Sequence, residues 1–331
     1  MTLKISKKLR IARIRNQFFL TFIPFKTIVS CFSDGVSILS DRQKGLTFLF
    51  INAFLWGIHG PAGRYLALKG VDMSFVAGTR LLIGAATFAV FLAFRRGFSF
   101  SLKGHVRDVI MVSIVGLFFN TLFYHLSLKW IPGTLVMVLE NLSPVFVMLF
   151  AWVLASRKPE KRHIYALILS FTGIALIIAG KSEFSIDGTD TLPGIIFGIG
   201  AGITLAFYYF FSGELVEKTK DDPDKMISLL MIIFLIAAFF MLPFVFSATN
   251  LPGNSTEWFW LIEMGIFQSG IAYILLNYAL RYVNSSTASI FFLFTIFFTT
   301  INEIIFLDLS LNIYLIVGSL LIIAAARKVS S

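Results

Sequence analysis

Long apolar stretches that carry almost no charged side chains constrain this chain more than any other feature. A helix needs about 20 such residues to cross the ~30 Å hydrocarbon core of a membrane. Only 14% of the residues are charged, about half the share in an average soluble domain, which argues strongly against a soluble enzyme. We predict an all-α integral membrane protein with ten spans, at residues 46–67, 73–94, 108–128, 132–155, 163–180, 192–213, 226–247, 257–280, 284–306 and 310–326.

The basic residues predict the orientation of these spans. With the N-terminus in the cytoplasm, 23 of the 28 Lys and Arg residues fall in inside segments and three fall outside. Cytoplasmic loops carry such an excess of positive charge in membrane proteins. The sequence therefore predicts that both termini lie in the cytoplasm and that the net charge of +10 reflects loop topology rather than nucleic-acid binding.

An internal repeat organises the chain. The stretch "LSLKWIPGTLVMVLENLSPVFVMLF" (126–150) matches "YALRYVNSSTASIFFLFTIFFTTIN" (278–302) at a constant offset of 152 positions. Because five is an odd number, the second five-span half must be inverted relative to the first, a common plan of secondary transporters. We predict a basic cytoplasmic tail, a first five-helix repeat, an extracytoplasmic linker and a second repeat, at residues 1–45, 46–180, 181–191 and 192–327.

The tail itself allows three interpretations. It is an interfacial amphipathic segment, a weak transit-like leader, or a stretch upstream of the true translation start. The single cysteine, Cys31, lies in this tail, so an intrachain disulfide is impossible and the redox compartment cannot be inferred.

Several stretches resemble the EamA-type proteins of the drug/metabolite transporter superfamily. "FLWGIHGPAGRYLALKG" followed by "FVAGTRLLIGAA" is similar to the opening of that family, with Trp56-Gly57 in span 1 and Arg80 early in span 2. The hairpins of spans 3–4, including Pro144, and of spans 8–9 resemble it as well, so that the likeness covers residues 45–328. The family commonly ends spans 4 and 9 with a Gly-Glu pair, which this chain lacks. The resemblance implies ten helices arranged as two inverted five-helix repeats around a central cavity.

Ionisable side chains inside the spans are the candidate site residues, because each costs ~2.5–3.5 kcal/mol on insertion scales and must face a cavity or a partner. Arg80 and Glu140 both lie ~10–12 Å from the outer ends of their spans at 1.5 Å per residue. One interpretation makes them a structural ion pair, and the other places them on the cavity wall. His59, in the middle of span 1, is either a neutral histidine bound to a neighbouring helix or a titratable cavity residue.

Further polar residues complete the predicted substrate site. Asn141 lies beside Glu140, and tyrosines at such depth either pack or contact a substrate ring or cation. The additional candidates are Asn141, Tyr209, Glu263, Gln268 and Tyr273.

Span 1 also holds an unusual set of small and helix-breaking residues. Gly57, Gly60 and Gly63 recur at a spacing of three and form a face that permits close helix approach. Pro61 removes one backbone hydrogen bond and should kink the helix. We predict a structural or gating role for these residues together with Trp56 and Pro144; the alternative is a static, tight helix crossing.

The sequence thus predicts a secondary transporter of the cell inner (plasma) membrane that moves a small zwitterionic or cationic metabolite, such as an amino acid. Uptake of S-adenosylmethionine or a nucleoside-like metabolite, drug efflux, and a membrane-embedded enzyme or scaffold are the alternatives. No cofactor, metal or nucleic acid is expected as a partner, and the phosphate-binding loop of ATPases is lacking, so protons or exchanged substrate would drive transport. The expected partners are the substrate, the lipid bilayer and protons, with the chain acting as a monomer or homodimer.

Overall fold

The structure is a computed structural model. It describes residues 40–95, 97–99, 101–127, 130, 133–179, 191–307 and 313–330. The chain divides into two compact units, Met1–Lys44 and Gly45–Ser331. Nearly all of the predicted tail at 1–45 and of the predicted linker at 181–191 lies outside the described residues, but the first described helix begins at Asp41, within the predicted tail. Everything below concerns the second unit unless stated otherwise.

The described residues form helices and no strand, as the apolar spans predict. We label the helices α1 to α10 in chain order and divide α4 and α9 into parts a and b, because each is interrupted. Their bounds are α1 Asp41–Leu68, α2 Met73–Arg95, α3 Val106–Ser127, α4a Gly133–Glu140, α4b Ser143–Ala155, α5 Lys161–Ala179, α6 Thr191–Lys218, α7 Pro223–Phe246, α8 Ser255–Ala279, α9a Ser285–Phe292, α9b Phe294–Leu307 and α10 Ile313–Ser330.

Length and composition allow six of these helices to cross a membrane. They are α2, α3, the α4 stretch Val136–Ala155, α6 from Leu192, α7 and α8. Helices α9 and α10 contain shorter apolar stretches, Ser285–Thr299 and Ile316–Ala325. The chain is therefore a multi-pass membrane protein.

The two halves share irregularities at matching positions. A π-helical segment of 8 residues interrupts α3 at Met111–Phe118, and another of 8 residues interrupts α8 at Met264–Ile271. When the first segment is shifted by the repeat offset of 152 positions, it overlaps the second to within one residue. The break after Glu140 in α4 likewise corresponds to the break at Leu293 in α9. The sequence alone predicts two uninterrupted helices at 132–155 and 284–306, and both are in fact broken.

Helices from the two halves pack directly against each other. Helix α2 runs along α7, and α5 runs along α10, so helices at matching places in the repeat form each pair. Helix α3 packs on α6 and α7, while α8 packs on α2. Hydrogen bonds join α8 to α1, where Asn52 Nδ2 donates to the Ala272 carbonyl at 2.8 Å. This packing places both π-helical segments in the interior, next to the cavity described below.

The glycines of helix α1 differ in how closely neighbouring helices approach them. A Cβ at Gly57 would collide with Cβ of Phe298 in α9b and lie 3.1 Å from its carbonyl carbon, so α1 and α9b cross closely there. At Gly63 the nearest atoms are the flexible methyl ends of Met264 and Met73, at 3.8 and 3.9 Å. The close approach expected along a face of three glycines is therefore present at Gly57 and absent at Gly63; the contacts of Gly60 lie outside the described set. Helix α1 continues through Pro61.

Candidate functional site

A small cavity of about 70 Å³ lies between the two halves. Helices α1 to α4a contribute to its wall from the first half, and α6, α8 and both parts of α9 from the second. The lining residues are Trp56, His59, Arg80, Asn120, Tyr124, Met137, Glu140, Leu205, Tyr273, Phe292 and Thr295. One acidic, one basic and several aromatic side chains thus face one space.

Glu140 is the last residue of α4a, and the helix ends there for a local reason. Pro144 has no N–H group, so the carbonyl of Glu140 lacks its usual i+4 donor. Pro144 instead occupies the first turn of α4b, where a missing N–H costs little. Asn141 stabilises the end of α4a by donating from Nδ2 to the Met137 carbonyl at 2.7 Å.

Helix α6 approaches this break through a glycine. A Cβ at Gly202 would lie 2.8 Å from the Leu139 carbonyl oxygen and 3.4 Å from that of Glu140. Only glycine permits the backbone of α4a to lie this close to α6. The glycine-rich stretch "GIGAGI" at 198–203 of α6 therefore packs behind the wall of the cavity.

Two helices fix the Glu140 carboxylate. Asn120 of α3 donates from Nδ2 to Glu140 Oε1 at 2.9 Å and to the Ala201 carbonyl of α6 at 3.0 Å. The amide of Asn120 is buried, with 6% of the residue exposed. The carboxylate is therefore held in place by an amide, and no positive side chain of the described residues pairs with it.

Arg80 faces the same cavity but does not pair with Glu140. Both residues belong to the described part of the chain, and no ion pair within 4.0 Å joins them. The Arg80 Nη1 atom lies 3.3 Å from Nδ1 and 3.2 Å from Nε2 of His59. A nitrogen almost equidistant from both ring nitrogens lies over the face of the imidazole, not in line with one lone pair. Arg80 Nε is buried, and it has no hydrogen-bond partner within the part of the chain that the structure describes.

A chain of hydrogen bonds extends from His59 away from the cavity. His59 Nδ1 lies 2.9 Å from Gln268 Oε1, and Gln268 Nε2 lies 3.2 and 3.0 Å from the two Glu263 carboxylate oxygens. The indole N–H of Trp56 donates to the Gln268 carbonyl at 3.0 Å. Gln268 and Glu263 thus stand behind His59 and are not part of the lining.

Aromatic rings form much of the remaining wall. Trp56 contacts Tyr273 and Phe292 edge-on, with ring centroids 5.3 and 5.4 Å apart. Tyr273 also packs edge-on against Phe234 at 4.9 Å. Such edge-to-face packing holds the rings rigidly. The cavity therefore offers fixed aromatic surfaces next to its two charges.

The predicted site residues fall into three groups. His59, Arg80, Glu140 and Tyr273 line the cavity, as does Trp56, for which we predicted a structural role. Gln268 and Glu263 lie one layer behind. Asn141 and Tyr209 are each 0% exposed and are not among the lining residues.

The sequence left two roles open for Asn120, a bridge between helices or a contact with substrate, and it did not single out five other lining residues. These are Tyr124, Met137, Leu205, Phe292 and Thr295. One signal was available, because the repeat offset of 152 relates Phe292 to Glu140, and both end the first part of a broken helix.

Comparison with known proteins assigns the family. The model of the EamA-like transporter family matches residues 43–179 and again residues 192–330. The chain belongs to the EamA-like transporter family. The double match also shows that the family domain is duplicated, in agreement with the paired irregularities of the helices.

Individual relatives agree with this assignment. An uncharacterized transporter of Archaeoglobus fulgidus is 24% identical over 86% of this chain and 96% of its own length. The uncharacterized transporter YxxF of Bacillus subtilis is 23% identical over 86% of this chain and 90% of its own. A protein of known crystal structure shares the fold with a TM-score of 0.72 at 16% identity, over 87% of this chain and 96% of that one. The protein is therefore a membrane transporter of the EamA type in the drug/metabolite transporter superfamily.

Proposed function

We propose that this transporter is a secondary carrier of a small zwitterionic or cationic metabolite, an amino acid or a related amine-bearing compound. The observation that carries the proposal is the presence of Glu140 and Arg80 on the wall of one cavity with no ion pair between them. Two opposite charges on one wall that form no direct ion pair are complementary to a molecule that carries both an ammonium and a carboxylate group. A simple anion would meet the carboxylate of Glu140, and a simple apolar solute would leave both charges without a partner.

The surroundings of the two charges support the same assignment. Asn120 fixes the carboxylate of Glu140 in position, so it is oriented before any ligand arrives. Arg80 lies over the His59 ring and leaves its buried Nε atom without a partner. Both groups are thus available to a ligand without the prior disruption of a strong pair.

We further propose that transport proceeds by alternating access of two inverted five-helix halves, with ten spans and both termini in the cytoplasm. The matching π-helical segments and helix breaks support inverted repeats, since discontinuous helices near the repeat interface commonly surround transporter sites. The excess of basic residues in alternate loops supports the orientation and a location in the inner (plasma) membrane.

Three ion pairs support a closed cytoplasmic side in this conformation. Each joins a residue of the first half to a residue of the second, at helix ends that the proposed topology places on the cytoplasmic face. The pairs are Arg95–Asp224, Asp108–Lys218 and Arg157–Glu214. Opening toward the cytoplasm would separate them, so we assign them the role of a latch between the halves.

The same proposal includes the driving force and the oligomeric state. Protons or exchanged substrate would drive transport, and the chain would act as a monomer or homodimer.

A ring-bearing cation, such as a nucleoside-like metabolite or a drug, is the second candidate. The observation that favours it is the aromatic wall formed by Trp56, Tyr124, Tyr273 and Phe292, because aromatic faces bind organic cations. Such a substrate needs Glu140 but not Arg80. Loss of transport in both Glu140→Gln and Arg80→Gln variants supports a zwitterion, whereas loss in the first alone supports the ring-bearing cation.

The test of the proposed function is counterflow in proteoliposomes. Vesicles loaded with a mixture of unlabelled amino acids are placed in external labelled amino acid, one compound at a time, and accumulation is measured. Glu140→Gln protein that inserts at a normal level is the control. We expect wild-type accumulation of at least one amino acid and its loss in the variant; equal accumulation by both proteins contradicts the assignment of the site.

A further inference from the structure

Gln268 occupies an unusual place relative to the cavity. Only 1% of the residue is exposed, it lies in the π-helical segment of α8, and it does not line the cavity. Its side-chain amide nevertheless contacts His59, which does line the cavity, on one side and Glu263 on the other. This bridge determines how the imidazole is presented to the cavity.

The contact with Glu263 orients the amide of Gln268. Nε2 of Gln268 is 3.2 and 3.0 Å from the two carboxylate oxygens, and an amide NH₂ group donates where a carboxylate accepts. Oε1 of Gln268 must then face His59. Because an amide oxygen only accepts, the His59 Nδ1 atom at 2.9 Å must carry a hydrogen.

A proton on Nδ1 has a consequence for the other ring nitrogen. In a neutral imidazole, when one nitrogen donates, the other is an acceptor. Arg80 Nη1 contacts Nε2 at 3.2 Å from over the ring face, and among the described residues no donor lies in line with the in-plane lone pair of Nε2. Since Nδ1 faces Gln268, which does not line the cavity, Nε2 is the ring nitrogen that remains for a molecule in the cavity.

We propose that Gln268, anchored by Glu263, is a positioning residue that holds His59 with its proton on Nδ1 and thereby presents Nε2 to the transported molecule as a hydrogen-bond acceptor. The ligand group that this arrangement recognises is an N–H or ammonium donor. The proposal rests on the proposed function for the identity of the bound molecule, but the state of the His59 ring does not depend on it. Backbone-directed bonds from Trp56 and Asn52 hold α1 against α8 independently of the Gln268 side chain.

The experiment measures the tautomer of His59 directly. Full-length protein labelled with ¹⁵N at the imidazole nitrogens is reconstituted in lipid, and the ring signals of its four histidines are recorded by NMR. The His59 signals are identified by their loss in His59→Gln. His125 serves as an internal reference, because its Nδ1 lies 2.6 Å from the Thr121 carbonyl and is held independently of Gln268.

We expect a protonated Nδ1 and a bare Nε2 for His59 in the wild type. Gln268→Met, similar in size but without hydrogen-bonding groups, should shift His59 toward the other tautomer and leave His125 unchanged. Glu263→Gln, which still offers an oxygen to Gln268 Nε2, should preserve the wild-type tautomer, while Glu263→Met should give a mixture. A bare Nδ1 in the wild type, or an unchanged His59 signal in Gln268→Met, overturns the proposal.

Counterflow of a labelled amino acid supplies the functional measurement. Gln268→Met should raise KM roughly tenfold, the size expected for one misdirected hydrogen bond, with little change in maximal rate. Loss of maximal rate with an unchanged KM would indicate a purely structural role and contradict the proposal. If the wild type transports no amino acid, the proposed function fails while the NMR result still decides the role of Gln268.

Discussion

Replacement of Gly57 by alanine tests the close crossing of α1 and α9b, and Gly63→Ala is its matched control. The two glycines lie in the same helix, six positions apart, and differ in what a methyl group would meet. At Gly57 the new Cβ would collide with Cβ of Phe298 and lie 3.2 Å from the backbone nitrogen of Thr299. At Gly63 it would make only ordinary contact with two flexible methionines.

The magnitude follows from the difference between these two sites. Alanine favours the helix over glycine by about 0.5–1 kcal/mol, and this contribution is common to both variants and cancels. Forcing a methyl group into a packed site costs about 1–3 kcal/mol. The obstacle at Gly57 consists of backbone and Cβ atoms, which no change of side-chain rotamer can move. We therefore expect Gly57→Ala to be about 1–3 kcal/mol less stable than Gly63→Ala, which itself should match or exceed the wild type.

The assay is reversible unfolding in mixed micelles of dodecylmaltoside and SDS, followed by the fluorescence of the five tryptophans. Free energies of unfolding are compared for the wild type and both variants under identical lipid and detergent conditions. Equal stability of Gly57→Ala and Gly63→Ala would refute the reasoning, because it would mean that α1 and α9b can separate at no cost.

Three further predictions concern charged and titratable groups. Glu140→Gln should reduce kcat/KM for the counterflow substrate roughly 10- to 100-fold, the range for a lost hydrogen bond to a charged group, with normal insertion of the protein. Asp224→Arg breaks the ion pair with Arg95, so a cysteine introduced into the cavity should react faster with a thiol reagent added on the cytoplasmic side. Adding Arg95→Asp restores an ion pair and should slow this reaction again. If the double variant reacts as fast as Asp224→Arg, the ion pair is not a latch. Burial, together with the ammonium group of Lys225, lowers the pKa of His105 below its ordinary value of 6.5. Stability should therefore be complete above that pH and fall as the pH drops below it, and His105→Asn should remove this slope in thermal unfolding measured at several pH values.

The positions of the helices could be predicted from the sequence with good accuracy. Predicted span 226–247 corresponds to α7 at Pro223–Phe246, and 257–280 corresponds to α8 at Ser255–Ala279. Uninterrupted apolar runs bounded by charges and prolines leave a membrane helix few alternatives. The prediction for α6 ended at 213, five residues early, because Glu214 and Glu217 were taken as loop residues although the helix extends to Lys218.

Which side chains face the cavity could be predicted less well than the positions of the helices. The π-helical segments supply a physical reason. A π-helical segment changes the i→i+4 pattern to i→i+5, so residues beyond it point elsewhere than a spacing of 3.6 per turn implies. Tyr124 follows such a segment in α3 and lines the cavity, although the sequence did not single it out. Gln268 lies within the segment of α8 and stands behind His59 instead of facing the substrate. Asn141 was assigned to the site because it follows Glu140, but the helix break turns its amide back toward Met137.

The π-helical segments also order two events in the history of the chain. Each segment amounts to one extra residue inserted into a helix, and the same insertion stands at matching places in α3 and α8. Two independent insertions at one position are a less economical explanation than a single one that was later copied. The insertion then predates the duplication, and the single ancestral copy of the family domain already contained it. Because both halves supply wall residues, such a single-domain protein would have had to associate in pairs to build the same cavity.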